Sequence, residues 1–436
     1  MLESRTPISI PEAIEIVMTY KRKGSIERVS ITESYGRYLG EDIIADQNVP
    51  HFNKSLYDGF AVRAQDCVEV SNEHPVEFEV VGEIGAGSVF EGEVKPFQAV
   101  RIMTGAQAGG LQSGVRIMTG AQVPHSCDAV VMLEVTTSYE KDGKTYMALS
   151  RRASKWEHIA LKGEETKKGD VLVSKGTRIN PGVTAFLATF GYADVAVVKQ
   201  PVVGVLTTGS ELLDVNEPLE PGKIRNSNSY MALAQIVRSG GVPKYLGKLE
   251  DDFDRCYEAV EKALEEVDIL LTTGGVSVGD YDYLPAIYEK LGANVLFNKI
   301  AMRPGSVTTV AERNGQLLFG LSGNPSACYV GFELFVRPIV RSFLYSPAPH
   351  LHKTKAMLNG RFKEPNAFTR MVRGEISDEG GKLVVTPVGM DKSGAISSLA
   401  AANALIVLPG GEHGYDKGTE VNVLHLENEG TSSLWV

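Results

Sequence analysis

Three stretches of this chain place glycines, hydroxyls and carboxylates directly after short apolar runs: Thr207-Thr-Gly-Ser-Glu211, Thr272-Thr-Gly-Gly-Val-Ser-Val-Gly-Asp-Tyr-Asp282 and Leu321-Ser-Gly-Asn-Pro-Ser326. Glycine lets backbone N–H groups approach a ligand closely, and the start of a helix leaves such groups unpaired, so loops of this kind suit phosphate and other anions. Glu211, Asp280 and Asp282 supply the few carboxylates with which Mg²⁺, a hard ion, is held beside a substrate phosphate. Lys299 and Arg303, in Asn298-Lys-Ile-Ala-Met-Arg-Pro-Gly305, could neutralise the same ligand, although a solvated strand end accounts for them equally well. Asp58, in Lys54-Ser-Leu-Tyr-Asp-Gly-Phe-Ala-Val62, and the segment Arg-Ile-Met-Thr-Gly-Ala suit an ordinary turn as well as chemistry. Neither a G-x-x-x-x-G-K-[ST] loop nor a strand-following G-x-G-x-x-G is present, so the ordinary nucleotide motifs are absent.

The elements expected to carry these loops alternate between strand and helix over residues 181–346. Strands are expected at 202–208, 245–249, 268–273 and 294–297, with a hairpin-like pair within 306–320. Helices are expected at 181–191, 227–238 and 251–267, from 283, and after Pro325. Gly240-Gly241 closes the second of these. Such alternation implies a mostly parallel sheet covered on both faces, with the three loops on one edge. A further helix is expected at 11–21. Residues 49–150 read as β-rich, with a half-exposed strand at 76–81 and a hairpin turning at Asp142-Gly143. After the proline-rich Ser346-Pro-Ala-Pro349 the chain returns to short strands, which suggests a small barrel over 347–436.

Within the β-rich part, Val100-Arg-Ile-Met-Thr-Gly-Ala-Gln107 recurs identically as Val115-Arg-Ile-Met-Thr-Gly-Ala-Gln122. The unit is too short for a solenoid repeat. It reads as a tandem duplication with the spacer Ala108–Gly114, of which one copy takes a given place in the sheet and the other bulges out. The first copy keeps the upstream context and the second the downstream one, so Thr104 and Thr119 are two candidates for one place.

With 44 basic against 54 acidic side chains, the net charge of −10 argues against a nucleic-acid surface, which needs a basic stripe. It leaves room for a small anion, because a local pair of cations can reverse the field in one cleft. The four cysteines are scattered without metal spacing, as expected of reduced, buried thiols in a cytoplasmic protein. No apolar run is long enough to span a membrane, and no signal peptide is recognisable. His350 and His352 read as surface histidines in a linker.

Taken in order, several motifs together resemble the MoeA family, the molybdopterin molybdenumtransferases, whose relatives include the gephyrin E domain. They are Ser55-x-Tyr-Asp-Gly-Phe-Ala-Val, Arg116-Ile-Met-Thr-Gly-Ala-x-Val-Pro with Asp128-Ala-Val-Val, Thr207-Thr-Gly-Ser-Glu-Leu, Gly222-Lys-Ile-Arg-Asn-Ser-Asn228, Thr273-Gly-Gly-Val-Ser-Val-Gly-x-x-Asp282 and Gly320-Leu-Ser-Gly-Asn-Pro-Ser. The resemblance implies a multidomain α/β plus β protein in four parts. Residues 1–48 with 151–180 would form a linker and dimerisation domain, 49–150 a β-rich domain, 181–346 the molybdopterin-binding α/β domain, and 347–436 the barrel. It implies insertion of molybdenum from molybdate into adenylylated molybdopterin, releasing AMP, with Mg²⁺ assistance. It also implies a homodimer whose active site lies between the α/β domain of one subunit and the β-rich domain of its partner.

Carried onto this sequence, the resemblance assigns Asp58, Thr119 and Asp282 to catalysis, and Asp58, Glu211 and Asp282 to Mg²⁺ or water positioning. Thr207, Gly209, Ser210, Ser227, Gly274, Gly275, Ser277, Gly279, Lys299, Arg303, Ser322, Gly323, Asn324, Pro325 and Ser326 are assigned to the substrate anions. Other cofactor-biosynthesis proteins and apo-molybdoenzymes are the partners such an activity calls for. The chain departs from the family at Asn226, where Asp is common, at Ser306, where Lys is common, at Glu165 and at Ser322. The competing readings are the related ATP-dependent adenylyltransferase step and a non-catalytic molybdopterin-binding scaffold.

Overall fold

The computed structural model describes residues 6–84, 89–102, 120–249, 252–274, 283–426 and 434. Contacts divide the chain into two compact units, Met1–Glu41 with Ser174–Val436, and Asp42–Val173.

The larger unit contains the expected α/β arrangement. In chain order come β1 (Val202–Thr208), α1 (Ser227–Ser239), β2 (Val242–Leu249), α2 (Phe253–Glu266), β3 (Ile269–Thr273), α3 (Leu284–Lys290), β4 (Asn294–Phe297), β5 (Thr309–Arg313) and β6 (Gln316–Leu321). A continuous helical run follows, Pro325–Gly331, a π-turn at Phe332–Val336, then Arg337–Phe343. The sheet order is β2-β1-β3-β6-β5-β4. β2, β1, β3 and β6 are parallel, and β5 runs antiparallel to both β6 and β4. Successive side chains of a strand point to opposite faces, and β3 shows why it must be apolar throughout. Ile269 and Leu271 join one core with α1 and the Pro325–Phe343 run, while Leu270 joins the other with α2 and α3.

The N-terminal helix, Ile10–Thr19, packs on the first of these faces through Ile10, Ala13, Ile14 and Val17. Its start is fixed by a capping box, Ser9 with Glu12, and by a proline in the first turn. α1 ends as the sequence predicts, on Gly240 at φ +94°.

Beyond the sheet lie strands β7 (His352–Leu358), β8 (Thr369–Asp378), β9 (Leu383–Pro387), β10 (Ala404–Leu408) and β11 (Glu420–His425). They pair in the ring β8-β9-β7-β11-β10-β8, a closed five-stranded barrel. Closure leaves no edge among these five strands open to another chain. Val372, Val385, Ile406 and Val423 fill the barrel, whereas Met371, Leu405, Val407 and Leu424 join the core of the α/β sheet. A two-residue strand, Met302–Arg303, pairs with Thr369–Arg370 and ties the two parts together. His350 is a correction to the sequence reading: it is 6% exposed, packed under the linker rather than on the surface.

The smaller unit holds a six-stranded sheet in the order Ala129–Met132, Gly59–Val62, Gln98–Ile102, Val76–Ile84, Lys144–Leu149, Thr136–Lys141. The last two form the expected hairpin, with Asp142 and Gly143 both at positive φ (52° and 73°). The duplicated segment enters this unit in pieces. Val100–Ile102 of the first copy pairs with Gly59–Ala61. Of the second copy, Ala121 accepts from the Ser55 N–H at 3.1 Å and Gln122 bridges to Lys54. The residues between, including both candidate threonines, lie outside the described residues.

All four cysteines are free and buried. Among the described residues, no helix is long and apolar enough to cross a membrane.

Candidate active site

β1, β3 and β6 are neighbouring parallel strands, so the loops that follow them emerge side by side at the carboxyl edge of the sheet. This is where open α/β sheets bind ligands. The described residues at these strand ends line a cleft of about 1180 Å³ together with the barrel. Ordinary small-molecule pockets run to roughly 1,000 Å³, so the space suits an extended, two-part ligand.

Glycine is structurally required at two of the turns. Gly274 sits at φ +87°, and a Cβ there would come within 2.7 Å of Thr208 Oγ1 and 2.9 Å of Thr208 O. Its N–H donates to Leu321 O at 2.9 Å, which extends the ladder one step beyond β3. Gly209 sits at φ +133°, and a Cβ there would meet the Glu211 carboxylate oxygens at 2.5 and 2.8 Å. The Glu211 carboxylate therefore folds back over a bare stretch of backbone at the cleft.

The start of α1 supplies a second set of groups. Asn226 is the N-cap: its Oδ1 accepts from Ser229 N at 3.1 Å, and its Nδ2 donates to Ser229 Oγ and to Tyr245 OH. An aspartate there would instead accept from the Ser229 and Tyr245 hydroxyls, so these bonds alone do not select asparagine. Asn228 Nδ2 donates to Gly323 O at 2.7 Å and ties the helix start to the third loop. Unpaired N–H groups at helix starts and the dipole behind them favour negative charge here.

The opposite wall was not anticipated from the sequence. The barrel contributes Glu364, Asn366, Arg370, Arg373, Asp391 and Ser393. Arg370 Nε and Nη2 donate to Asp391 Oδ2 at 2.6 and 2.5 Å, and Arg373 Nη1 lies 3.0 Å from Asp391 Oδ1. Burial pulls the Arg373 guanidinium below its ordinary value and Asp391 opposes this; an arginine nonetheless stays charged. The available signal was the pair of arginines that brackets Met371-Val372 in Thr369-Arg-Met-Val-Arg373. Among the described residues, Arg225, Arg303, Arg370 and Arg373 face three carboxylates, Glu211, Glu364 and Asp391, across the cleft. Arg303 has no ion-pair partner among them, so its guanidinium is available to an anionic ligand.

Gly209, Ser210, Glu211, Ser227, Gly274, Arg303, Ser322, Gly323, Asn324 and Pro325 line this cleft together. Thr207 is fully buried behind it, and Thr208 takes the lining position. Ser326 is buried with its hydroxyl on Ala395 O, an anchor to the barrel. Lys299 lies outside the lining, where its carbonyl accepts from Ile8 N–H. Asp58 is exposed in the smaller unit. Thr119, Gly275, Ser277, Gly279, Asp280 and Asp282 lie outside the described residues. Among the described residues, no three His, Cys, Asp or Glu side chains cluster to hold a metal. Glu211, free to turn over Gly209, is the carboxylate that fits a hard ion shared with a phosphate.

The comparisons with known proteins agree with this geometry. Residues 8–110 and 107–191 match the MoeA N-terminal region, 204–342 a probable molybdopterin binding domain, and 355–426 the MoeA C-terminal region. The chain is 56% identical to a molybdopterin molybdenumtransferase of Bacillus subtilis, over 99% of this chain and 97% of the relative. The chain belongs to the MoeA family. A molybdopterin molybdenumtransferase of Staphylococcus epidermidis is 46% identical over 98% of this chain and 97% of its own length. The crystal structure of a molybdopterin biosynthesis MoeA protein from Pyrococcus horikosii superposes with a TM-score of 0.82 at 28% identity, covering 97% of this chain and all of that one. The MoeA N-terminal match breaks into two overlapping pieces at 107–110, at the head of the spacer between the repeats. That break falls inside the duplicated region.

Proposed function

We propose that this chain is a molybdopterin molybdenumtransferase: it takes molybdate and adenylylated molybdopterin to molybdenum cofactor and AMP. The observation that carries this reading is the large cleft where the turns after three parallel strands, a capped helix start and the guanidiniums of Arg225, Arg303 and Arg370 converge. A substrate with a pterin phosphate, a phosphoanhydride and a metal oxyanion needs that many anion contacts in one place. Backbone N–H groups of the 209–211 and 322–323 turns and the guanidinium of Arg303 would hold and orient the phosphate oxygens, with Gly274 keeping the floor between them free of side chain. Mg²⁺, held by Glu211 with Asp282 and Asp58, would neutralise charge as the anhydride breaks. Thr119 and Asp58 would reach the reaction from a partner copy in a homodimer.

The buried thiols support the same division of labour. Burial pushes Cys67, Cys127 and Cys328 up to about 12, so they stay protonated and poor as metal ligands. Sulfur for molybdenum would come from the substrate's dithiolene, a soft donor the protein need not duplicate. We further propose a cytoplasmic location, the four-part domain division given above, and hand-over of product to apo-molybdoenzymes.

The test is turnover by purified protein given adenylylated molybdopterin, molybdate and Mg²⁺, read as AMP release and cofactor formed. ATP consumption with free molybdopterin would instead mark an adenylyltransferase. Tight binding of the adenylylated substrate without AMP release would mark a scaffold. Loss of turnover in Asp282→Asn with binding retained would support its assigned role.

A further inference from the structure

We infer that Asp391 is a positioning residue: it fixes the Arg370 guanidinium as an anion contact on the barrel wall of the cleft. The inference rests on the cleft taking an anionic substrate. It starts at Arg373, which is 1% exposed and donates to Ser398 Oγ, Met371 O, Met390 O and Lys392 O at 3.1–3.5 Å. Two of those carbonyls flank Asp391, so the buried guanidinium pins the 390–392 turn from behind. The turn's carboxylate then faces both arginines, one oxygen to Arg373 and the other to Arg370.

Arg370 is held on two sides. Its Nε and Nη2 edge is engaged by Asp391, and its guanidinium carbon lies 4.9 Å from the Phe362 ring centroid. Its Nη1 has no partner among the described residues, in a side chain that is 26% exposed and lines the cleft. An arginine so clamped offers its free donors in one direction. The same turn delivers Ser393, which lines the cleft and whose carbonyl accepts from Ser326 N–H at 3.0 Å. Arg373 thus sets Asp391, Asp391 sets Arg370, and Arg370 meets the ligand.

The opposite action is chemically available: a carboxylate beside a guanidinium can compete with an anionic ligand. The two differ in sign. A positioning Asp391 makes anion binding weaker when removed, and a competing one makes it tighter.

The experiment is steady-state kinetics of Asp391→Ala and Asp391→Asn, each with molybdate and adenylylated molybdopterin varied in turn. Calorimetric titration of molybdate and of AMP runs alongside. Positioning predicts that one anion, molybdate or the nucleotide phosphate, loses at least about tenfold in affinity, as for a hydrogen bond to a charged group. The other anion changes little, which identifies the one that Arg370 meets. Arg370→Lys should cause a similar loss, and the double variant no further loss. A lower KM for either anion, equal weakening of both with a lowered Tm, or additive losses would each overturn the inference. Should Asp391→Ala fail to fold, the near-isosteric Asp391→Asn carries the test. A wild-type protein that binds both anions without turnover would overturn the transferase reading and leave the titrations to judge Asp391.

Discussion

The two walls of the cleft are built from different materials. The sheet wall is backbone: glycine turns, helix starts and hydroxyls placed where three parallel strands end. The barrel wall is side chain: Arg370 oriented by an acid that is itself held by the buried Arg373. A backbone-built wall tolerates changes among its side chains but no Cβ at its turns. A side-chain-built wall has the reverse sensitivity, and it fails through its buried member first.

The strongest test of this contrast is Arg373→Ala. It leaves Asp391 with half its partners and empties a buried site, so a loss of about 3–5 kcal/mol is expected, read by denaturant unfolding. Next comes Gly274→Val, which adds a branched side chain at φ +87° beside Thr208. Strain of about 1–3 kcal/mol at the turn itself should lower kcat/KM by about tenfold to a hundredfold. Normal activity in this variant would break the claim that the sheet wall is made by backbone.

Arg303→Ala should raise the KM for an anionic substrate about tenfold, with a smaller effect at high salt because this side chain is exposed. Ser322→Ala, a side-chain change on the backbone wall, should alter KM by less than about threefold.

The smallest effect concerns pH. Burial holds the imidazoles of His350 and His425 below their ordinary value, helped by Lys21 and His352 respectively. The unfolded chain then binds more protons than the folded one below about pH 6.5. Stability should fall as pH is lowered from 7 towards 5, and His350→Gln should flatten that slope in thermal melts.

The same contrast explains what could be read from the sequence. β1, β3 and β6 and their glycine turns are local patterns: an apolar run, a glycine, then a helix signal. Alternating strands and helices implied a mostly parallel sheet, but the lateral order of its strands is seen only in the structure. Arg370 and Asp391 are joined only once β8 closes the barrel and pairs with Met302–Arg303, and no local pattern carries that. Lys299 and Arg303 looked alike in sequence, yet the pairing of Met302–Arg303 with β8 leaves only Arg303 on the cleft. Thr207 and Thr208 were likewise separable only by their place at the strand end, where Thr207 is still enclosed and the half-buried Thr208 reaches the cleft. His350 was misread because a proline-rich linker signals a surface, while its burial depends on distant packing.

Because the two octapeptides are identical, excising any 15 consecutive residues that begin between positions 100 and 108 leaves one and the same polypeptide. Both ends of that join already have seats, at Gly59–Ala61 and at Ser55. The 15 extra residues could thus be deleted in any of these registers without altering any other residue.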